Sequence, residues 1–97
     1  MPVYVVLLKF TDQGIRDIKN IPDGIQGSAQ AFEAMGGKML GLYSTMGEYD
    51  FVGIGEAPSD EVALTYLLGL GAAGNVRTTT LKAFPVEQFT EMVKKIT

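Results

Sequence analysis

The feature that most constrains this chain is its opening run, Pro2 to Phe10, which is almost wholly apolar and carries its first charge at Lys9. Val3, Val5 and Val6 are β-branched, which suits a strand. Successive strand residues point to opposite faces, so Val3, Val5 and Leu7 take one face and Tyr4, Val6 and Leu8 the other. A strand apolar on both faces sits in the interior of its sheet. Helices covering one face would still leave the other exposed. An apolar patch of that size marks an interface, and two-fold symmetry lets one patch bury itself. The run therefore predicts a homodimer or higher oligomer formed by apposing two open sheet faces.

The rest of the chain fills in around that strand. Thr11 reads as the N-cap of a helix through Gln13, Ile15 and Ile18. Pro22 disfavours helix at Ile21, and Asp23-Gly24 signals a turn, so a break is expected there. A second helical piece follows, with Ala29, Phe32 and Met35 on one face, and Gly36-Gly37 ends it. Lys38 to Ser44 reads as a strand, with Leu40 and Leu42 on one face and Met39, Gly41 and Tyr43 on the other. Gly47 supplies a positive-φ turn into a strand from Tyr49 to Glu56. Pro58 stops that strand, and Ser59 caps a helix with Asp60 and Glu61 in its first turn, where the dipole favours acids. That helix is apolar most of the way round, Leu64 and Leu68 included, so it needs more than one covering surface. Val76 to Ala83 is the fourth strand. Pro85 opens a last helix striped by Val86, Phe89, Val93 and Ile96. The order β-α-β-β-α-β plus a helix is the ferredoxin-like α+β arrangement. The expected strand order is 4-1-3-2, with the C-terminal helix docked beside the other two.

Ninety-seven residues make one domain, 1–97, and bury only roughly 60–65% of the unfolded chain's surface. A net charge of −3 with scattered cations argues against a nucleic-acid surface. The absence of cysteine removes disulfides and thiolate chemistry, and fits a cytoplasmic protein. No run of residues reads as a signal peptide or membrane span. Without histidine the familiar triads and most zinc sites are gone. Glu48, Asp50 and Glu56 offer oxygen to a hard cation, but lack EF-hand spacing and read as solvated, so neither metal nor cofactor is expected.

What remains for a ligand is Lys9, Tyr43, Asp50, Arg77, Thr78 and Thr80. Thr78 and Thr80 share a strand face and could line a polar cavity, or simply serve β propensity. With Lys9 they would supply the polar groups of a pocket at the dimer interface. Arg77 suits a carboxylate, on a ligand or on another subunit. Tyr49 and Asp50 point to opposite faces on a strand, so the better reading has Asp50 bonding turn amides while Tyr49 packs.

Four motifs carry a family resemblance over almost the whole chain: Lys9-Phe10-Thr11 with Gln13-Gly14, Gly47-Glu48-Tyr49-Asp50, Glu56-Ala57-Pro58, and Gly74-Asn75-Val76-Arg77-Thr78 with Thr80-Leu81. They resemble the GYD domain family of small bacterial and archaeal proteins. The resemblance implies a ferredoxin-like domain that associates through its sheet, as in dimeric α/β-barrels, and implies no activity. Where typical members carry basic residues after the Pro near position 22, this chain has Asp23-Gly24. The layout from Gly47 to Thr80 is also similar to the effector domain of leucine-responsive transcription regulators. The expected function is thus a non-catalytic oligomeric module that binds a small-molecule effector, like a stand-alone effector-binding domain. The alternatives are a cofactor-free monooxygenase or isomerase, and a purely structural assembly protein.

Overall fold

The computed structural model describes residues 1–97. Its elements are β1 (Val3–Phe10), α1 (Asp12–Arg16), a 3-10 turn (Ile18–Asn20), α2 (Ile21–Ala34), β2 (Lys38–Ser44), β3 (Phe51–Glu56), α3 (Asp60–Ala73), β4 (Val76–Ala83) and α4 (Val86–Lys94). One antiparallel sheet has the order β2-β3-β1-β4. The twice-apolar strand is interior, as its composition requires. Tyr4, Val6 and Leu8 face the helices, opposite Gly55, Gly53 and Phe51 of β3 and Lys82, Thr80 and Thr78 of β4. Val3, Val5 and Leu7 lie on the open face, with Val52, Ile54, Thr79 and Leu81.

Local chemistry sets the boundaries. The Thr11 and Ser59 hydroxyls accept from the amides of Gly14 and Val62, capping α1 and α3. Gly36 and Gly74 take left-handed geometry at φ 89° and 88°, closing α2 and α3.

Four expectations change. Ile21 is helical (φ −60°, ψ −42°), and Pro22 stands in the first turn of α2, where its missing amide costs nothing. The break falls earlier, at the 3-10 turn, so Asp23-Gly24 lies within the helix. In β2 the register slips between Met39 and Gly41, leaving Leu40 as an extra residue. This bulge resets the alternation, so Met39 and Leu42, not Leu40 and Leu42, face the helices. The β2–β3 connection is longer than a tight turn: residues 45–50 form a loop closed by Thr45 N donating to Asp50 O at 2.9 Å, and Tyr49 lies outside the strand. Finally, α4 does not dock. Every residue from Phe84 onward is exposed, Phe89 and Ile96 at 61% and 76%.

The result is an unusually open monomer. Only seven of 97 residues are buried, among them Tyr4, Phe32, Ala57 and Ala63. The surface of 6686 Å² exceeds by about 1,300 Å² the roughly 5,400 Å² normal for 10.4 kDa. The radius of gyration, 14.9 Å, likewise exceeds the roughly 12.5 Å of a compact domain this long.

Gly47 sits at φ 111°, and a Cβ there would meet no neighbour within 4 Å. The cost of a side chain is therefore torsional alone. Gly47→Ala should destabilise by about 1 kcal/mol or more, lowering the melting temperature by about 4–8 °C. An unchanged or higher midpoint by circular dichroism would show that the loop has no need of glycine.

Candidate functional site

Three of the sequence motifs meet at the end of the sheet where β1 stops. β3 peels away at Asp50, which still donates its amide to Leu8 O at 2.8 Å. Its carboxylate then accepts the Phe10 amide at 2.8 Å, carrying the ladder one step past the strand. Asp50 thus bonds the neighbouring strand's amide, where a turn amide was expected. Next to it, Thr11 N donates to Asn75 O at 3.0 Å and the Thr11 hydroxyl to Gly74 O at 2.5 Å. Gln13 Nε2 reaches Ala73 O and Asn75 Oδ1 at 3.1 and 3.0 Å. Gly14 is buried so closely that a Cβ would lie 2.1 Å from Asn75 O. These contacts tie the start of α1 to the end of α3.

At the opposite end the Tyr4 hydroxyl donates to the Asp60 carboxylate, which also accepts from Lys82 Nζ at 2.9 Å. Burial first, and then Asp60, push the Tyr4 hydroxyl up to about 12. The bond from Tyr4, aided by Lys82, holds the Asp60 carboxyl below its usual range. Sequence reasoning passed over this trio. The available signal was Tyr4 itself, since a tyrosine among aliphatics on a central strand needs a partner for its hydroxyl.

Between these two ends lies an open-sided cavity of about 510 Å³, bounded by the sheet, α2 and α3. Twenty of its 27 lining residues are hydrophobic and none is ionised at neutral pH. The helices meet where Phe32 stacks at a tilt on Tyr66, 4.6 Å between ring centroids. There the Ser28 and Tyr66 hydroxyls share a hydrogen bond of 2.6 Å. One turn further toward the Asp50 end, Gly24 of α2 and Gly69 of α3 line the cavity, and a Cβ on either would touch nothing. Both are exposed, on the open side of the cavity, and a mid-helix glycine costs about 1 kcal/mol against alanine. Phe10 and Phe51, edge to face at 5.6 Å, wall the far end.

The six residues singled out from the sequence do not form one site. Lys9, Tyr43 and Arg77 occupy open-face positions. The Arg77 guanidinium bends back to donate to Gly71 O at 3.1 Å, at the C-terminal turn of α3. Thr78 and Thr80 lie on the helix side, where they share a shallow groove with Tyr4, Asp60, Leu64 and Leu68. Asp50 is part of the β1 end. Glu48, Asp50 and Glu56 are not gathered either: no group of three acids is placed to hold a metal. No helix is long and apolar enough to cross a membrane.

Gly14→Ala should force Asn75 and Thr11 apart and cost about 3 kcal/mol or more, read from the urea midpoint; a near-neutral effect would mean that this junction yields freely. Tyr4 carries a pH signature. Its folded value lies above the ordinary 10.0, so its stabilisation is whole below pH 10 and lost as pH rises toward 12. Asp60 runs the other way: its contribution is whole above pH 3.8 and lost as pH falls through the lower folded value. Tyr4→Phe should remove the highest step in the tyrosinate absorbance titration and flatten the alkaline loss of stability. A titration unchanged by that substitution would take Tyr4 out of the assignment.

Comparison with known proteins bears on the whole chain. A family model described as GYD domain matches residues 4–93. A Thermus thermophilus protein named glutamine synthetase and cystathionine beta-lyase binding protein is 33% identical over 95 residues, 97% of this chain and 100% of the relative. Among solved structures, the crystal structure of MtbAldR has a TM-score of 0.67 at 14% identity, covering 87% of this chain and 52% of that one. The crystal structure of TTHA0845, also from Thermus thermophilus, has a TM-score of 0.56 at 23% identity, covering 88% and 95%. These two likenesses show the fold. With the model match running from β1 into α4, the chain belongs to the GYD domain family.

Proposed function

We propose that this protein is a non-catalytic binding module that works as an oligomer and docks on metabolic enzymes. The observation that carries the proposal is the full-length relative, 33% identical and named for binding glutamine synthetase and cystathionine beta-lyase. The arrangement of groups supports it. The two groups with displaced protonation, Tyr4 and Asp60, are engaged with each other. A hydroxyl near 12 is a poor proton donor at neutral pH, where a catalytic group titrates near the working pH. Neither group is thus free to serve as the proton donor that the monooxygenase or isomerase alternative would need.

Oligomerisation is supported by the surface the monomer leaves open. Its excess of about 1,300 Å² is more than the ~800 Å² each partner gives up in a standard interface. The open sheet face, with Val5, Leu7, Ile54 and Leu81, is apolar, and Leu64 and Leu68 of α3 are 57% and 64% exposed. A nine-residue helix such as α4 is marginal alone in water and needs a surface to lie on. Two sheets apposed face to face would cover the first of these patches. A second reading, small-molecule binding, is favoured by the cavity between sheet and helices, whose size falls in the ~300–1,000 Å³ range of ligand sites.

Light scattering at micromolar concentration should give a multiple of the 10.4 kDa chain mass. Purified glutamine synthetase and cystathionine beta-lyase from the same source should each be tested for co-elution. A monomer would sink the oligomer, and failure to retain either enzyme would sink the docking role.

A further inference from the structure

Resting on that second reading, we infer that the cavity between the sheet and α2/α3 is a binding site for an uncharged, mainly apolar ring compound carrying one hydroxyl or carbonyl group. Three observations define this class. No lining residue is charged at neutral pH, so an amino acid, a nucleotide or a free carboxylate would be desolvated there without a counter-ion. The walls are aromatic at two levels, Phe32 with Tyr66 and Phe10 with Phe51, and flat rings stack or abut such walls. The polar handle is the Ser28–Tyr66 pair: two hydroxyls share one bond, which leaves one hydroxyl proton and further lone pairs for a third partner.

The glycines say where the ring goes. Gly24 and Gly69 line the cavity one turn from the Ser28–Tyr66 pair, on the same side of it, with room where each Cβ would stand. On the sheet side, Gly53 and Gly55 of β3 also line the cavity, but their missing side chains make room for Leu42 and Phe32, which a Cβ would meet at 3.5 and 3.2 Å. The two helices are thus pared back at one level of the cavity, as needed where a ligand approaches the backbone closely. A ring seated there lies against Gly24 and Gly69, with its polar group at Tyr66.

The test uses the full-length protein in its native assembly and four probes: phenylnaphthylamine, whose fluorescence reports burial, with naphthol, naphthalenesulfonate and leucine as competitors. Saturable phenylnaphthylamine binding at one per chain is expected, displaced by naphthol and not by leucine. Gly69→Leu and Gly24→Leu, two independent fillings of the space, should each weaken it at least tenfold while circular dichroism stays native. Tyr66→Phe should weaken naphthol about tenfold more than phenylnaphthylamine, as expected for loss of one hydrogen bond. Displacement by leucine or tighter binding of the sulfonate would overturn the ligand class while leaving a small-molecule site standing. No saturable binding by any probe would overturn the site as well. Binding indifferent to both glycine substitutions would place the probe elsewhere, for instance on the open sheet face, and equally overturn the inference. Binding seen only after dilution to monomer would make a second copy the occupant.

Discussion

Everything in this fold hangs on how β1 ends. An interior strand must hand its last amides to something when its neighbours leave, and a buried amide without a partner costs about 1–3 kcal/mol. β3 departs at Asp50, and the Asp50 carboxylate takes the Phe10 amide in its place. The Thr11 amide goes to Asn75 O, and the Thr11 hydroxyl both receives the Gly14 amide and donates to Gly74 O. Because Gly14 has no side chain, α1 can settle against Asn75. That settles where α1 begins relative to the end of α3. The chain that follows then carries α2 across the sheet, where it meets α3 through Phe32 and Ser28 at Tyr66. The cavity is what this arrangement leaves.

Much of the architecture is legible in the sequence because it follows from short-range rules. The twice-apolar β1, the caps at Thr11 and Ser59 and the glycine stops at Gly36 and Gly74 each rest on one residue type doing what its backbone or side chain favours. The features that differ from expectation are of other kinds. Pro22 has the chemistry of a breaker, but its position in the first turn makes it a starter. The bulge at Leu40 has one local mark, Gly41, but a glycine in a strand signals a bulge, a bend or a close approach without saying which. The apolar stripe of α4 predicts docking, yet a stripe states that a helix wants a surface without saying whose.

The site is less legible than the fold. Alternation places Thr78 and Thr80 correctly on one face, yet strand pairing puts Lys9 on the other, away from the group expected to include it. The Tyr4–Asp60–Lys82 trio joins residues 56 and 22 positions apart: the register of β1 against β4 sets Tyr4 beside Lys82, and the start of α3 brings Asp60 to both. On its helix side the cavity is flanked by Gly24 and Gly69, where the signal is a missing side chain. Glycines in regular elements are conspicuous in number, but sequence cannot tell a glycine that bends from one that makes room.

The bulge at Leu40 also makes the two rims of the sheet unequal. β2 presents a kinked edge, and extra twist of this kind discourages another strand from adding on. β4 presents eight residues in unbroken register. If copies join edge to edge, the pairing left to them is like with like, β4 against β4. Such a contact uses up both competent rims at once, so it closes after two chains. A molecule with two smooth rims would have offered a fresh end at every addition, and so a path to fibres. One surplus leucine in an outer strand thus decides which rim of the sheet could take on another strand.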